Sequence, residues 1–181
     1  MPATTVVALL ALLLGLQPLT TDLYLPALPA LTADLHAGMP QAQQTLSVLL
    51  LAFGLSQLLA GPLSDRFGRR PVLLGGLLAY TLASVGCAWA GDVSALIAWR
   101  GVQGLAMGAG VVCARAIVRD LYPPDQGTRV MSRALSGLAA FACLGPPLGG
   151  LLSDQAGWRA ALLVLALFGA VALGLVLLRY R

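Results

Sequence analysis

Apolar residues run through this chain in six blocks, and the polar positions collect in the short links between them. A helix crosses the hydrocarbon core of a bilayer with about 20 apolar residues. By that measure the blocks are spans over roughly 4–30, 42–62, 71–90, 94–117, 129–151 and 159–178. The expected fold class is therefore an all-α membrane protein, one six-helix domain over residues 1–181 with no soluble domain. The first block does not read as a signal peptide, because no basic residue precedes it and its apolar stretch is long. The densest charge lies between the second and third spans, in Gly61-Pro-Leu-Ser-Asp65-Arg66-Phe-Gly68-Arg69-Arg70-Pro71. Three arginines in so short a link read as a cytoplasmic hairpin between two membrane helices. Gly61 and Gly68 permit close packing and a sharp reversal, and Pro71 suits the first position of the next helix.

Composition agrees with the pattern. The 181 residues are 59% hydrophobic and only 10% charged, against about 25% charged in a soluble domain. The net charge of +4 is not a nucleic-acid footprint, since the arginines stand in links between apolar runs. Arg66, Arg69, Arg70, Arg115, Arg119, Arg129, Arg133, Arg179 and Arg181 fall on one side, and only Arg159 falls in a link on the other. The excess of positive charge puts both termini in the cytoplasm. Trp89, Trp99 and Trp158 then lie near the outer ends of their spans, as an interfacial aromatic belt requires. Cys87, Cys113 and Cys143 have no metal-ligand or redox spacing and read as small apolar residues.

The hairpin also has an echo. Gly61, Ser64, Asp65, Gly68 and Arg70 match Gly150, Ser153, Asp154, Gly157 and Arg159 at a constant offset of 89. The chain divides accordingly into two three-helix units, about 1–91 and 92–181. Three is odd, so the second unit is inverted in the membrane relative to the first, as in secondary transporters.

Two charges inside spans stand out. Arg100 lies about 10 Å below the outer end of the fourth span, where a guanidinium costs several kcal/mol without water or a partner. It either snorkels to the interface or faces a cavity, with Gln103 and Met107 on the same helix face. Asp22 is the one acid inside a span, at a similar depth in the first. It is either an interfacial carboxylate or the partner of Arg100, in which case its protonation releases the arginine. Gln17 is a further candidate contact, although it lies about 140° around the helix from Asp22 unless Pro18 distorts the turn.

The hairpin Gly61–Arg70 resembles motif A of the major facilitator superfamily. Arg100-Gly-Val-Gln103-Gly104 resembles motif B, and Gly145-Pro146-Pro-Leu-Gly149-Gly150 resembles the antiporter motif, with Phe141 where a further glycine is expected. Thr21-Asp22-Leu-Tyr24-Leu-Pro26-Ala-Leu-Pro29 and Arg119-Asp120-Leu-Tyr122 are similar to the bicyclomycin-resistance (Bcr/CflA) drug-efflux subfamily. The superfamily uses twelve helices, and this chain resembles its N-terminal six.

That resemblance implies half of a proton-coupled exporter of drugs or other small molecules, working by alternating access in a bacterial inner membrane. It implies proton coupling at Asp22 and Arg100, and a substrate cavity touching Gln17, Tyr24, Gln103 and Met107. A cytoplasmic gate would comprise Gly61, Asp65, Arg66, Gly68, Arg69, Arg70 and Asp120, with Arg69 or Arg70 pairing Asp120 and Asp65 gripping a helix of the second half. The antiporter motif of Gly145, Pro146, Gly149 and Gly150 would kink towards that second half. The energy source is the proton gradient, with no cofactor or metal. The partners are the lipid bilayer, a small amphipathic or apolar substrate, and a second six-helix half in cis or as a dimer, with no nucleic acid. A membrane enzyme is disfavoured, because its one histidine, His36, lies in a link beside Asp34. The alternative is a truncated or non-transporting half, since a lone half turns Asp22 and Arg100 towards lipid.

Overall fold

The structure, a computed structural model, describes residues 3–179; Arg181, counted above for orientation, lies outside them. The described residues are helical, with no strand among them. Six helices are long and apolar enough to cross a membrane. They are α1 (Ala3–Asp22) with its short continuation α2 (Leu28–Asp34), α3 (Met39–Phe67), α4 (Arg69–Ala88), α5 (Val93–Leu121), α6 (Pro124–Ala156) and α7 (Trp158–Arg179). The bundle is thus the expected all-α membrane architecture.

The first span is broken where a single helix to residue 30 was expected. α1 ends at Asp22, a 3₁₀ turn covers Leu25–Ala27, and α2 restarts the helix at Leu28. Pro26 and Pro29 cause the break, each lacking an amide hydrogen and each sitting in the first turn of the next piece. Pro18 is accommodated inside α1.

The hairpin lies where its arginines put it, but of its two glycines only Gly68 makes the turn. Gly61 to Phe67 is not turn but the last turns of α3, with Pro62 inside the helix. The reversal falls on Gly68 alone, whose φ of 91° is left-handed territory that a side chain disfavours. α4 starts at Arg69, so Pro71 is its third residue, still in the turn whose amides have no helical partner. The echo has the same geometry: α6 ends at Ala156, Gly157 takes φ 79°, and α7 starts at once with Trp158.

α5 is the most buried helix and the centre of packing, with α3 and α4 laid along it. Small residues set those crossings. Gly104 lies on the Leu49 carbonyl and Gly108 on Ser56 of α3, while Gly76 of α4 meets Ala106 and Ala109. Side-chain-free backbones approach closely there, which is how membrane helices gain packing energy without a hydrophobic drive. α1 packs on α6, and α7 on α4. One core cluster centres on Leu10, Leu13, Leu77, Tyr80 and Met107; a second, towards the other end, joins Tyr24, Leu31, Cys87, Trp158 and Leu165. Leu51, Leu55, Leu58 and Leu59 of α3 project outward, as a lipid-facing surface does.

Of the tryptophans, Trp89 and Trp99 are exposed, but Trp158 is buried. Its indole donates to Asp34 at 3.0 Å, and Arg159 pairs with the same carboxylate while lying over the Trp158 ring. α2 is tied to the start of α7 by this group, so Trp158 belongs to the core and not to the aromatic belt. Cys87 and Cys113 are buried, and Cys143 sits on an exposed face of α6.

Candidate functional site

Arg100 is completely buried, so it does not snorkel. α5 carries it in from the Asp92 cap, whose carboxylate accepts the Ala95 amide at 2.8 Å. Its guanidinium carbon is 3.7 Å from the centroid of the Tyr24 ring, and its Nη1 donates to Gln103 Oε1 at 2.8 Å. Gln103 Nε2 in turn donates to the Ser84 hydroxyl at 2.7 Å, which fixes the orientation of the amide. Ser84 donates to the Tyr80 carbonyl at 2.8 Å. Two hydroxyl pairs brace the aromatic rings: Tyr24 with Thr45 at 2.9 Å, and Tyr80 with Thr20 at 2.6 Å. Each threonine donates to a carbonyl of its own helix, Ala42 or Leu16, so each tyrosine is the donor in its pair. Nε and Nη2 of Arg100 have no partner among the described residues.

This arrangement revises three of the expected cavity residues. Tyr24, Gln103 and Met107 are fully buried: the first two hold Arg100, and Met107 is core packing. Ser84, Thr45, Thr20 and Tyr80 could not be singled out from sequence, because isolated hydroxyls in apolar spans carry no motif.

Asp22 does not pair with Arg100, which makes no ion pair among the described residues. It lies on another face of α1. Ala11, Gly15, Asp22 and Leu23 look onto Gly137, Phe141, Gly145 and Gly149 of α6, whereas Leu13 and Leu16 look onto Gly110 of α5. Asp22 is half-buried, its carboxylate accepting only the Thr21 hydroxyl at 3.1 Å. The antiporter motif divides between two faces of α6. α6 runs unbroken through Pro146 and Pro147, and Gly145 and Gly149 are buried against the end of α1. Pro146 and Pro147 are exposed, and Gly150 has open space beside it.

At the opposite end, Arg69 gathers the gate residues. Its Nε is 3.2 Å from Asp120 and its Nη1 bonds both Asp65 and Ser64, so Arg69, not Arg70, is the partner of Asp120. Asp65 is engaged within its own hairpin. Arg66 lies over Phe67, and Arg70 is exposed.

Between these two ends the bundle is hollow on one side. A cavity of about 480 Å³ is bounded by Gln17, Phe53, Gln57, Arg115, Met131 and neighbouring leucines. It adjoins one of about 420 Å³ near Asp65, Arg69 and Arg119, and another of about 540 Å³ beside Tyr122 and Thr128. Gln17 lines the first of these cavities. Arg115, read from sequence only as positive-inside charge, lines all three spaces.

Six membrane-length helices around a buried guanidinium, with an open central face, define a multi-pass helical membrane protein. Comparison with known proteins sharpens that class. The family described as Major Facilitator Superfamily matches residues 10–181. Multidrug resistance protein D of Escherichia coli (strain K12) is 36% identical over 157 residues, covering 87% of this chain and 40% of that protein. A chloramphenicol resistance protein of Pseudomonas aeruginosa is 40% identical over 162 residues, covering 89% and 37%. A bicyclomycin resistance protein homolog of Haemophilus influenzae is 33% identical over 167 residues, covering 92% and 42%. The solved structure of the proton:xylose symporter XylE bound to 6-bromo-6-deoxy-D-glucose superposes with a TM-score of 0.83 at 17% identity, covering 97% of this chain and 44% of that one. The chain belongs to the major facilitator superfamily, a family of transporters and not of enzymes, and its relatives include drug-resistance proteins. It spans about 40% of the length of these curated relatives.

Proposed function

We propose that the chain forms the N-terminal half of a proton-coupled transporter exporting drugs or other small molecules by alternating access. The observation that carries this reading is the end of α1, where Tyr24 seats buried Arg100 while Asp22, two residues away, rests on Gly145 of α6. One short segment therefore touches both charged devices of the outer half. In an apolar setting a neutral carboxylic acid packs against a helix at less cost than a carboxylate does. Proton exchange at Asp22 would then loosen or tighten α1 against α6, and Tyr24 would pass the movement to Arg100. Coupling through packing replaces the direct ion pair.

The Arg69–Asp65–Asp120 cluster supports a cytoplasmic latch between α3, α4 and α5, with both termini cytoplasmic and a bacterial inner membrane as the setting. The matched glycine reversals at Gly68 and Gly157 support one domain of two three-helix units, about 1–91 and 92–181. The hollow face needs a second six-helix half, in cis or as a dimer, to enclose a small amphipathic substrate. The alternative, a half that transports nothing alone, is favoured by the same open face.

Ethidium efflux from proteoliposomes along an imposed proton gradient tests the reading. The expected result is efflux that Asp22→Asn abolishes while ethidium binding survives; undiminished efflux by that variant overturns the coupling role. A strictly monomeric particle in mild detergent, with no efflux, assigns the chain to the non-transporting alternative.

A further inference from the structure

Arg115 is a charged group outside both the latch and the Arg100 network. It stands on α5, about 9 Å of helix rise before the end at Leu121. It lines all three cavities of the open face, yet makes no ion pair among the described residues. Asp65 is engaged by Arg69, and Asp120 by Arg69 and Arg119, while Asp125 at the start of α6 makes no ion pair among the described residues. The neighbouring space is bordered by Arg69, Arg115 and Arg119 against Asp65 alone, so positive charge is in excess there. Arg115 is exposed to the open face, and a guanidinium without a counter-ion there attracts an anion. Low-dielectric cavity walls strengthen that attraction and draw anions in.

The surroundings select what kind of anion. Gln17 and Gln57 place two amides on the cavity that Arg115 borders, and Phe53 and Met131 supply apolar wall. At about 480 Å³ the space falls within the range of drug-sized ligands. We propose that Arg115, Gln17 and Gln57 form an oxyanion-recognising subsite of the central cavity, selecting small amphipathic substrates that carry a carboxylate or similar group. The guanidinium fork fits a planar oxyanion in a way an ammonium cannot. This rests on the transport reading only in taking the cavity as the substrate's path.

The test is binding, which needs no proton gradient. Fluorescence anisotropy of fluorescein, an anionic dye, and of ethidium, a cationic one, is followed on the purified chain in an uncharged detergent. Arg115→Gln is expected to weaken fluorescein binding about tenfold or more, leaving ethidium within about twofold. Arg115→Lys, which keeps the charge and loses the fork, is expected to fall between. Unchanged fluorescein affinity in Arg115→Gln overturns the proposal. So does an equal loss of both dyes in both variants, which would make Arg115 structural. Benzoate should displace fluorescein from the wild-type chain; displacement by phosphatidylglycerol micelles but not by benzoate assigns Arg115 to a lipid headgroup and overturns it too. Absent ethidium efflux with Arg115-dependent fluorescein binding would fell the transport reading alone. The converse pair of results would fell only the anion subsite.

Discussion

The guanidinium carbon of Arg100 sits 3.7 Å from the centroid of the Tyr24 ring, with both side chains completely buried. A charge so placed relies on its few neighbours: the ring face and one bond to Gln103, with no counter-ion among the described residues. Stacking of this kind contributes about 2 kcal/mol when desolvated. Tyr24→Leu should therefore lower the stability of the detergent-solubilised protein by about that amount or more. Tyr24→Phe keeps the ring and loses only the bond to Thr45, so it should cost about 1 kcal/mol. Equal melting temperatures for the two variants would count against the stack as the support of Arg100.

Gln103 supplies the one hydrogen-bond acceptor of Arg100 among the described residues. Gln103→Leu leaves a buried charge without any, at an expected cost of about 2–3 kcal/mol. Gln103→Glu puts an anion beside the guanidinium and should retain more stability than the leucine variant despite losing the donor to Ser84. Thermal melts of the three proteins decide the order, and a leucine variant as stable as the parent would refute it.

Two adjacent glycines of the antiporter motif should behave oppositely. A methyl at Gly149 would meet the Leu23 backbone carbonyl, which cannot rotate away, so Gly149→Ala has to part α1 from α6. The expected loss is about 1–3 kcal/mol. Gly150 has open space beside it, and Gly150→Ala should lie within about 0.5 kcal/mol of the parent. Melting temperature reads both, and Gly149→Ala should also change the accessibility of Asp22 to carbodiimide.

The Arg69–Asp120 pair has a different signature. Asp120 is about half exposed, and exposed ion pairs contribute about 0–1 kcal/mol, so Asp120→Asn should barely move the melting temperature. Arg69→Ala also removes the bonds to Asp65 and Ser64 and should cost more. A cysteine at position 61 should label faster with a water-soluble maleimide in Arg69→Ala if the cluster closes that end. Unchanged labelling would show that it does not.

Much of the fold was legible because a membrane leaves few alternatives. Spans follow from the length of apolar runs, and the hairpin followed from three arginines and two glycines, down to its echo at Gly157. Pro26 and Pro29 could have announced the break in the first span, had their missing amides been weighed against its hydropathy. Motif spacing also placed Arg100, Asp65 and Asp120 correctly along their helices.

Direction around each helix was not legible. In water, the buried face of a helix is marked by its apolar stripe. In a bilayer, lipid and core are equally apolar, so α1 and α7 carry almost no such mark. Whether Tyr24 faced a cavity or Arg100, whether Asp22 faced α5 or α6, and whether Gly145 faced a missing half or α1 were all settled by packing. The sequence by itself determined six spans, their order, and which polar residues enter the membrane. Tertiary structure decided which neighbours those residues meet: it buried Arg100 on Tyr24, turned Asp22 to Gly145, and left Arg115 facing the open cavity.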